Sequence, residues 1–212
     1  MPNPAQAPPV KVRGSLIRRG DMEASLVNIV GHLHVEGDLK AAELKIKGEC
    51  SIGHSCQADE VAILGSLRAG SLRADRVHSA GYLSVAQEAV ADDFQADGSV
   101  RINSLSCAGT IYIRLGSRCM ITHMTAGEKI AISPSSRLIN LLMSPFRRLS
   151  CETIEGAAVT LYRTTASLVS GEDIIIGPGC IIQEVRYSRT LVVDSKSRVD
   201  KTIQINGPGG IV

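Results

Sequence analysis

Tryptophan is absent from this 212-residue chain, and aromatic residues make up only 3% of it. There is no platform on which successive nucleic-acid bases could stack. An excess of one charge is also missing. The formal net charge is +2, which argues against a nucleic-acid partner held by phosphate neutralisation. No run of about eighteen apolar residues occurs, so no span across a bilayer is expected. The start, "MPNPAQAPPVKVRG", has no apolar core and does not read as a secretory signal. It reads as a flexible, Pro-rich tail over residues 1–13. The six cysteines contain no CxxC pair, which leaves a zinc site without its usual spacing. They are expected as thiols in a reducing cytoplasm.

What the chain does have is a period. Gly14, Gly31, Gly48, Gly65, Gly81, Gly98 and Gly116 recur at nearly even spacing. In "GHLHVEGDLKAAELKIK", residues 31–47, the apolar slots are Leu33 with Val35, Leu39 with Ala41, and Leu44 with Ile46. The members of each pair are two residues apart, so both point to one face of a short strand. Three such strands and three turns close one circuit. The next repeat fills the slots with Cys50, Ile52, Cys56, Ala58, Val61 and Ile63, and the fifth with Leu83, Val85, Ala89, Ala91, Phe94 and Ala96. One slot holds alanine in all seven repeats: Ala24, Ala41, Ala58, Ala74, Ala91, Ala108 and Ala126. A tight corner between coils stacked about 4.8 Å apart would admit nothing larger. The pattern predicts an all-β parallel β-helix, one circuit per repeat. "DLKAAELKIK" alone could form an amphipathic helix, but the spacing of two recurs through every repeat.

The coils are expected over 14–132 and again over 151–205, with a flexible end at 206–212. Between them, residues 133–150 break the pattern with two prolines and a dense apolar cluster. A helix of a few turns fits between Pro134 and Pro145. Leu138, Leu141, Leu142 and Phe146, edged by Arg147 and Arg148, form a candidate contact with a membrane or partner.

No catalytic set emerges from the residues. His32 and His34 flank the inward Leu33 and share an outward face, roughly 7 Å apart. They could take a metal with a third ligand, or be plain surface residues. His54 and His123 fall in turns with no Ser or Cys visibly paired to them. Cys50 and Cys56 lie on core slots, where Cys acts as a small, inert hydrophobe. Asp59, Glu60, Asp75, Asp92 and Asp93 gather at one corner, as a cation site or as a solvated ridge eased by Arg76. The turns are tight and leave few places for a cleft, which argues against an enzyme. No cofactor and no nucleotide are expected, since no phosphate-binding loop is present.

Circuits such as "GDLKAAELKIKGECSIG" resemble those of the bactofilins, polymer-forming bacterial cytoskeletal proteins. The later "GEDIIIGPGCIIQEVRYSRTLVVD" is similar to the C-terminal part of a Firmicute-type branch of that family. The resemblance implies a right-handed, triangular β-helix that polymerises without nucleotide into non-polar filaments. It implies a scaffold for cell shape, polar organisation or motility, with itself or a paralogue as partner. Many members carry a bulky hydrophobic N-terminal motif for membrane attachment, which "MPNPAQAPPV" lacks. Localisation is expected in the cytoplasm, with the inner face of the membrane as a second address. "IIIGPGCII" has a local look of left-handed β-helix acyltransferases, which is one alternative. Another is a β-helix regulator of cell division, similar to the C-terminal domain of the Min-system inhibitor.

Physical chemistry points to polymers independently. A β-helix ends in coils whose backbone groups and apolar core lack partners. The expected end faces are Leu16, Met22, Val27 and Ile29 at one end, and Leu191 and Val193 at the other. Stacking of like ends gives alternating isologous contacts and a filament without polarity.

Overall fold

The structure, a computed structural model, describes residues 7–135 and 147–205. Among these residues there is no helix, and fifteen strands form one sheet. They are β1 (Val10–Val12), β2 (Ser15–Arg18), β3 (Met22–Ile29), β4 (His32–Val35), β5 (Leu39–Ile46), β6 (Glu49–Ile63), β7 (Ser66–Ser79) and β8 (Tyr82–Cys107). Then come β9 (Thr110–Leu115), β10 (Cys119–Pro134), β11 (Leu149–Ser150), β12 (Thr153–Leu161), β13 (Thr164–Ile176), β14 (Ile181–Val193) and β15 (Arg198–Gln204). The pairings are parallel, and their register gives the coil. Met22 pairs with Leu39, Leu39 with Cys56, Cys56 with Leu72, and Leu72 with Ala89. The chain therefore returns to the same place once per sequence repeat. This is a β-solenoid, and "DLKAAELKIK" lies in strand β5.

Each coil has three sides, in chain order from its glycine. The first carries Leu33 above Cys50 and Leu67; the second Leu39 above Cys56 and Leu72; the third Leu44 above Val61 and Val77. These inward residues are all buried, and outward residues alternate with them. The core is thus a set of side-chain columns along the axis, and the backbone bonds run parallel to it. Columns trade volume with one another. Ser79 and Ala96 are small members of a column that also holds Val12, Ile29, Ile46, Ile63, Ile113 and Ile132. In the next column at that level stands Phe94, which is fully buried.

The repeated glycines owe their place to closeness. Gly31, Gly48, Gly65 and Gly81 stack at the corner between the third and first sides. A Cβ on any of them would lie within 3.0 Å of the carbonyl oxygen one coil below. Ser66 N–H donates to the Gly48 carbonyl and Tyr82 N–H to that of Gly65, which pins these oxygens. The corner between the first and second sides is fastened differently. Asp38 accepts bonds from both the N–H and the hydroxyl of Ser55, at 2.9 and 2.8 Å. These donors hold the Asp38 carboxyl below the usual carboxylate range.

Six of the seven expected ladder alanines are buried: Ala24, Ala41, Ala58, Ala74, Ala91 and Ala126. Ala108 is not. It is exposed, and Cys107 takes the slot, paired with Ala126. The chain "RINSLSCAG" can bury either Leu105 with Cys107 or Ser106 with Ala108, and burying the more apolar pair shifts the register by one residue. The column then passes to Gly156 and Gly171.

The tail also differs from expectation. Within the expected tail, Val10–Val12 join the solenoid, because β1 lies on β3, pairing Val10 with Val27 and Val12 with Ile29. The interruption adds length without breaking the ladder. Ile130 pairs with Val159, and Val159 with Ile174. The first step takes far more chain than the second, and the extra residues fall in sequence between Pro134 and Leu149. The helix expected between Pro134 and Pro145 falls on residues outside those described, as do Leu138, Leu141, Leu142 and Phe146.

Candidate functional site

The sequence placed the functional surface at the two end coils, and the structure redraws both. At the N-terminal end, Met22, Val27 and Ile29 are buried, the last two under β1, and do not form an end face. The outermost strands are β1 and β2, each paired on one edge only among the described residues. Beside these edges stand Leu16, 39% exposed, and Ile17, 63% exposed. Val10 is half-buried. Sequence reasoning missed β1 because a short "VKV" behind prolines carries no full repeat.

At the C-terminal end, Thr190–Val193 of β14 pair with β13 on one side. Among the described residues no strand pairs their other side. Leu191 is half-buried, Val193 is 41% exposed and Val192 57% exposed. The last strand, β15, covers Ile181–Tyr187 of β14 and leaves its own outer edge free among the described residues. Val199 and Ile203 are half-buried in it. Both ends therefore combine backbone groups without a strand partner and aliphatic side chains. An incoming strand satisfies both needs at once.

The other candidates fall elsewhere. Nδ1 of His32 lies 3.3 Å from a Glu49 carboxylate oxygen, and Nδ1 of His123 lies 2.9 Å from the Thr153 hydroxyl. His54 and His78 are exposed. No three His, Cys, Asp or Glu side chains group closely enough for a metal among the described residues. All six cysteines are free and buried. Burial pushes the thiols of Cys50, Cys107 and Cys151 up to about 12 and that of Cys119 to about 11. Cys56 and Cys180 are shifted the same way. Such thiols are poor nucleophiles.

A groove of about 420 Å³ runs along the corner between the second and third sides. Arg76 bridges its middle, ion-paired to Glu60 and in register with Asp93. Asp93 in turn accepts the Thr110 N–H at 3.0 Å. The groove's charged groups are thus largely engaged with one another. Of the arginines beside the interruption, Arg148 is exposed and its carbonyl accepts the Cys119 N–H, while Arg147 is half-buried. No helix among the described residues is long and apolar enough to cross a membrane.

Comparison with known proteins adds two relatives. Over 106 residues, half of the chain, it is 27% identical to the uncharacterized protein YhbE of Bacillus subtilis (strain 168), covering 45% of that protein. Over 58 residues it is 34% identical to the uncharacterized protein YhbF of the same organism, 27% of this chain and 25% of that one. The matches span less than half the length of either relative. No protein-family model matches the chain, and no solved structure matches it.

Proposed function

We propose that this chain is a non-enzymatic scaffold of the bactofilin type, which assembles end to end into filaments without nucleotide. The observation that carries the reading is the course of the ladders. They run to both ends of the described residues and stop at one-sided strands beside exposed Leu16, Ile17, Val192 and Val193. Docking like ends would extend the parallel columns from one copy into the next. Burying about 400 Å² of apolar surface there contributes about 10 kcal/mol, the same order as the cost of association. One charge can therefore tip the balance. The resemblance of the Gly-anchored circuits to bactofilins supplies the cellular reading: a cytoplasmic scaffold in cell shape, polar organisation or motility. Its first partner is itself, then a paralogue, with the membrane surface met through residues 138–148.

Sedimentation and negative-stain microscopy of the full chain, with and without ATP, test this. Val193→Asp and Ile17→Asp should each leave a folded protein that no longer forms filaments. Filaments that survive both substitutions together, or that require ATP, refute end-to-end stacking.

A further inference from the structure

The net charge of +2 hides a separation of charge across the solenoid. Arg101, Arg118 and Arg148 are exposed on the first side or its leading edge. They belong to three successive coils: Arg101 pairs with Met120 and Met120 with Ser150, so Arg118 and Arg148 share one position, two residues before that rung, and Arg101 stands on it. None of the three has a carboxylate partner among the described residues, and the Met120 sulfur lies 3.8 Å from the Arg101 guanidinium. Glu49 is engaged with His32 and Asp97 with Arg114. Across the triangle, the corner between the second and third sides carries Asp59, Asp75 and Asp92. These are exposed, follow Ala58, Ala74 and Ala91 in the ladder, and form no ion pair among the described residues. Glu60 beside them is taken by Arg76, and Glu43 by Lys45.

We propose that the basic patch of Arg101, Arg118 and Arg148 is a lateral docking surface for the Asp59–Asp75–Asp92 row of a second copy of this chain. Three arguments favour that occupant. The patch and the row are of opposite sign. The aspartates repeat at the coil rise of about 4.8 Å, as do Arg118 and Arg148, with Arg101 two residues farther along its own strand, so a basic patch faces an acidic column of about the same height. And the two lie on opposite edges, so a copy that offers its acids to one neighbour still has its arginines free for another. Such a contact is heterologous and does not close, which makes a lateral array. Docking also relieves the repulsion between stacked carboxylates. The contact is independent of end-to-end stacking.

The test is a charge swap on the full chain. One variant carries Arg101→Glu, Arg118→Glu and Arg148→Glu; the other carries Asp59→Lys, Asp75→Lys and Asp92→Lys. Wild type should associate side by side at about 0.01 M salt and separate at about 1 M, where screening falls from ~30 Å to ~3 Å. Sedimentation velocity and the width of particles in micrographs read this. Each variant alone should lose lateral association, and an equimolar mixture should regain it. Circular dichroism confirms that both are folded. Variants that still associate alone, or a mixture that stays apart, overturn the proposal. So does wild type that never pairs at low salt yet is retained by duplex DNA or anionic vesicles, since the arginine patch then serves a polyanion. If no filaments form, the proposed function fails, but the charge swap still reads side-by-side pairing of short particles.

Discussion

Substituting Gly65 with alanine is the sharpest trial of the stacked-corner geometry. A Cβ there would overlap the Gly48 carbonyl oxygen and approach the Gly48 and Lys47 carbonyl carbons to 2.9 and 3.0 Å. All three are backbone atoms, so no side chain can swing aside. The Gly48 oxygen also accepts the Ser66 N–H at 2.9 Å and the Gly65 oxygen the Tyr82 N–H at 2.9 Å, so a shift strains two rungs. Overpacking of this kind costs about 1–3 kcal/mol, and a backbone obstacle belongs at the upper end. Alanine also stabilises by about 0.4–1 kcal/mol by stiffening the unfolded chain. The net loss is about 2 kcal/mol. For a chain of this length that lowers the melting temperature by ~4–8 °C. Gly116→Ala is the control. Its Cβ would meet Gly98 at 3.4 Å, an ordinary contact, at a φ open to any residue. Only the unfolded-state term remains, so its melting point should hold or rise slightly. Thermal melts by circular dichroism, at two concentrations to expose any contribution from assembly, decide between them. Equal melting points for Gly65→Ala and the parent, or an equal drop in Gly116→Ala, would refute the reasoning.

Two more predictions concern the core. Ala58→Leu places a large side chain in a buried column and should destabilise by about 1–3 kcal/mol, while Ala108→Leu, on an exposed residue, should be near neutral; denaturant melts of the pair compare them. The thiols should be unreactive to a disulfide reagent in native buffer, and all six should react after denaturation. Because the folded state raises their pKa, their contribution to stability is full below the unfolded thiol range near 9 and is lost as pH climbs from there toward about 12. A melting point that does not fall across that alkaline window contradicts the burial.

The period was readable because a strand side buries residues at a spacing of two, and each side recurs coil after coil. Leu33, Leu39 and Leu44 announced their columns in that way. What the sequence hid lies at corners and ends, where the spacing is free to change. Ala108 was misplaced because the corner after Ile102 is one residue shorter, and "SLSCA" fits either register by spacing alone. The cover of β1 over Val27 and Ile29 was hidden because three residues make no period. The arginine patch escaped notice because Arg101, Arg118 and Arg148 are unevenly spaced along the chain, and only the fold sets them on successive coils. The glycine anchors were visible, but their cause, a carbonyl one coil below, needed the stacked backbone.

The corner between the third and first sides is also where the chain tolerates added length, and this yields a last prediction. In a regular coil, three residues, Lys47, Gly48 and Glu49, carry the chain from the buried Ile46 to the buried Cys50. In the coil with the interruption, the corresponding buried residues are Ile132 and Leu149. Deleting 136–146 would leave Ser133, Pro134, Ser135, Arg147 and Arg148 between them, five residues for a gap that three can span. The rungs Ile130 with Val159 and Cys119 with Leu149 are made by residues outside the deletion. A shorter loop also lowers closure entropy only slowly, by about 0.6 kcal/mol per halving. The deletion variant should therefore fold, with a β-rich spectrum and a melting point within a few degrees of the parent. It should also keep end-to-end assembly, because neither end coil is touched. If the membrane contact resides in Leu138, Leu141, Leu142 and Phe146, flotation with anionic vesicles should be lost in the deletion while filaments persist. A variant that fails to fold would mean that the segment is part of the solenoid's packing, and the corner would then not be a neutral site of insertion.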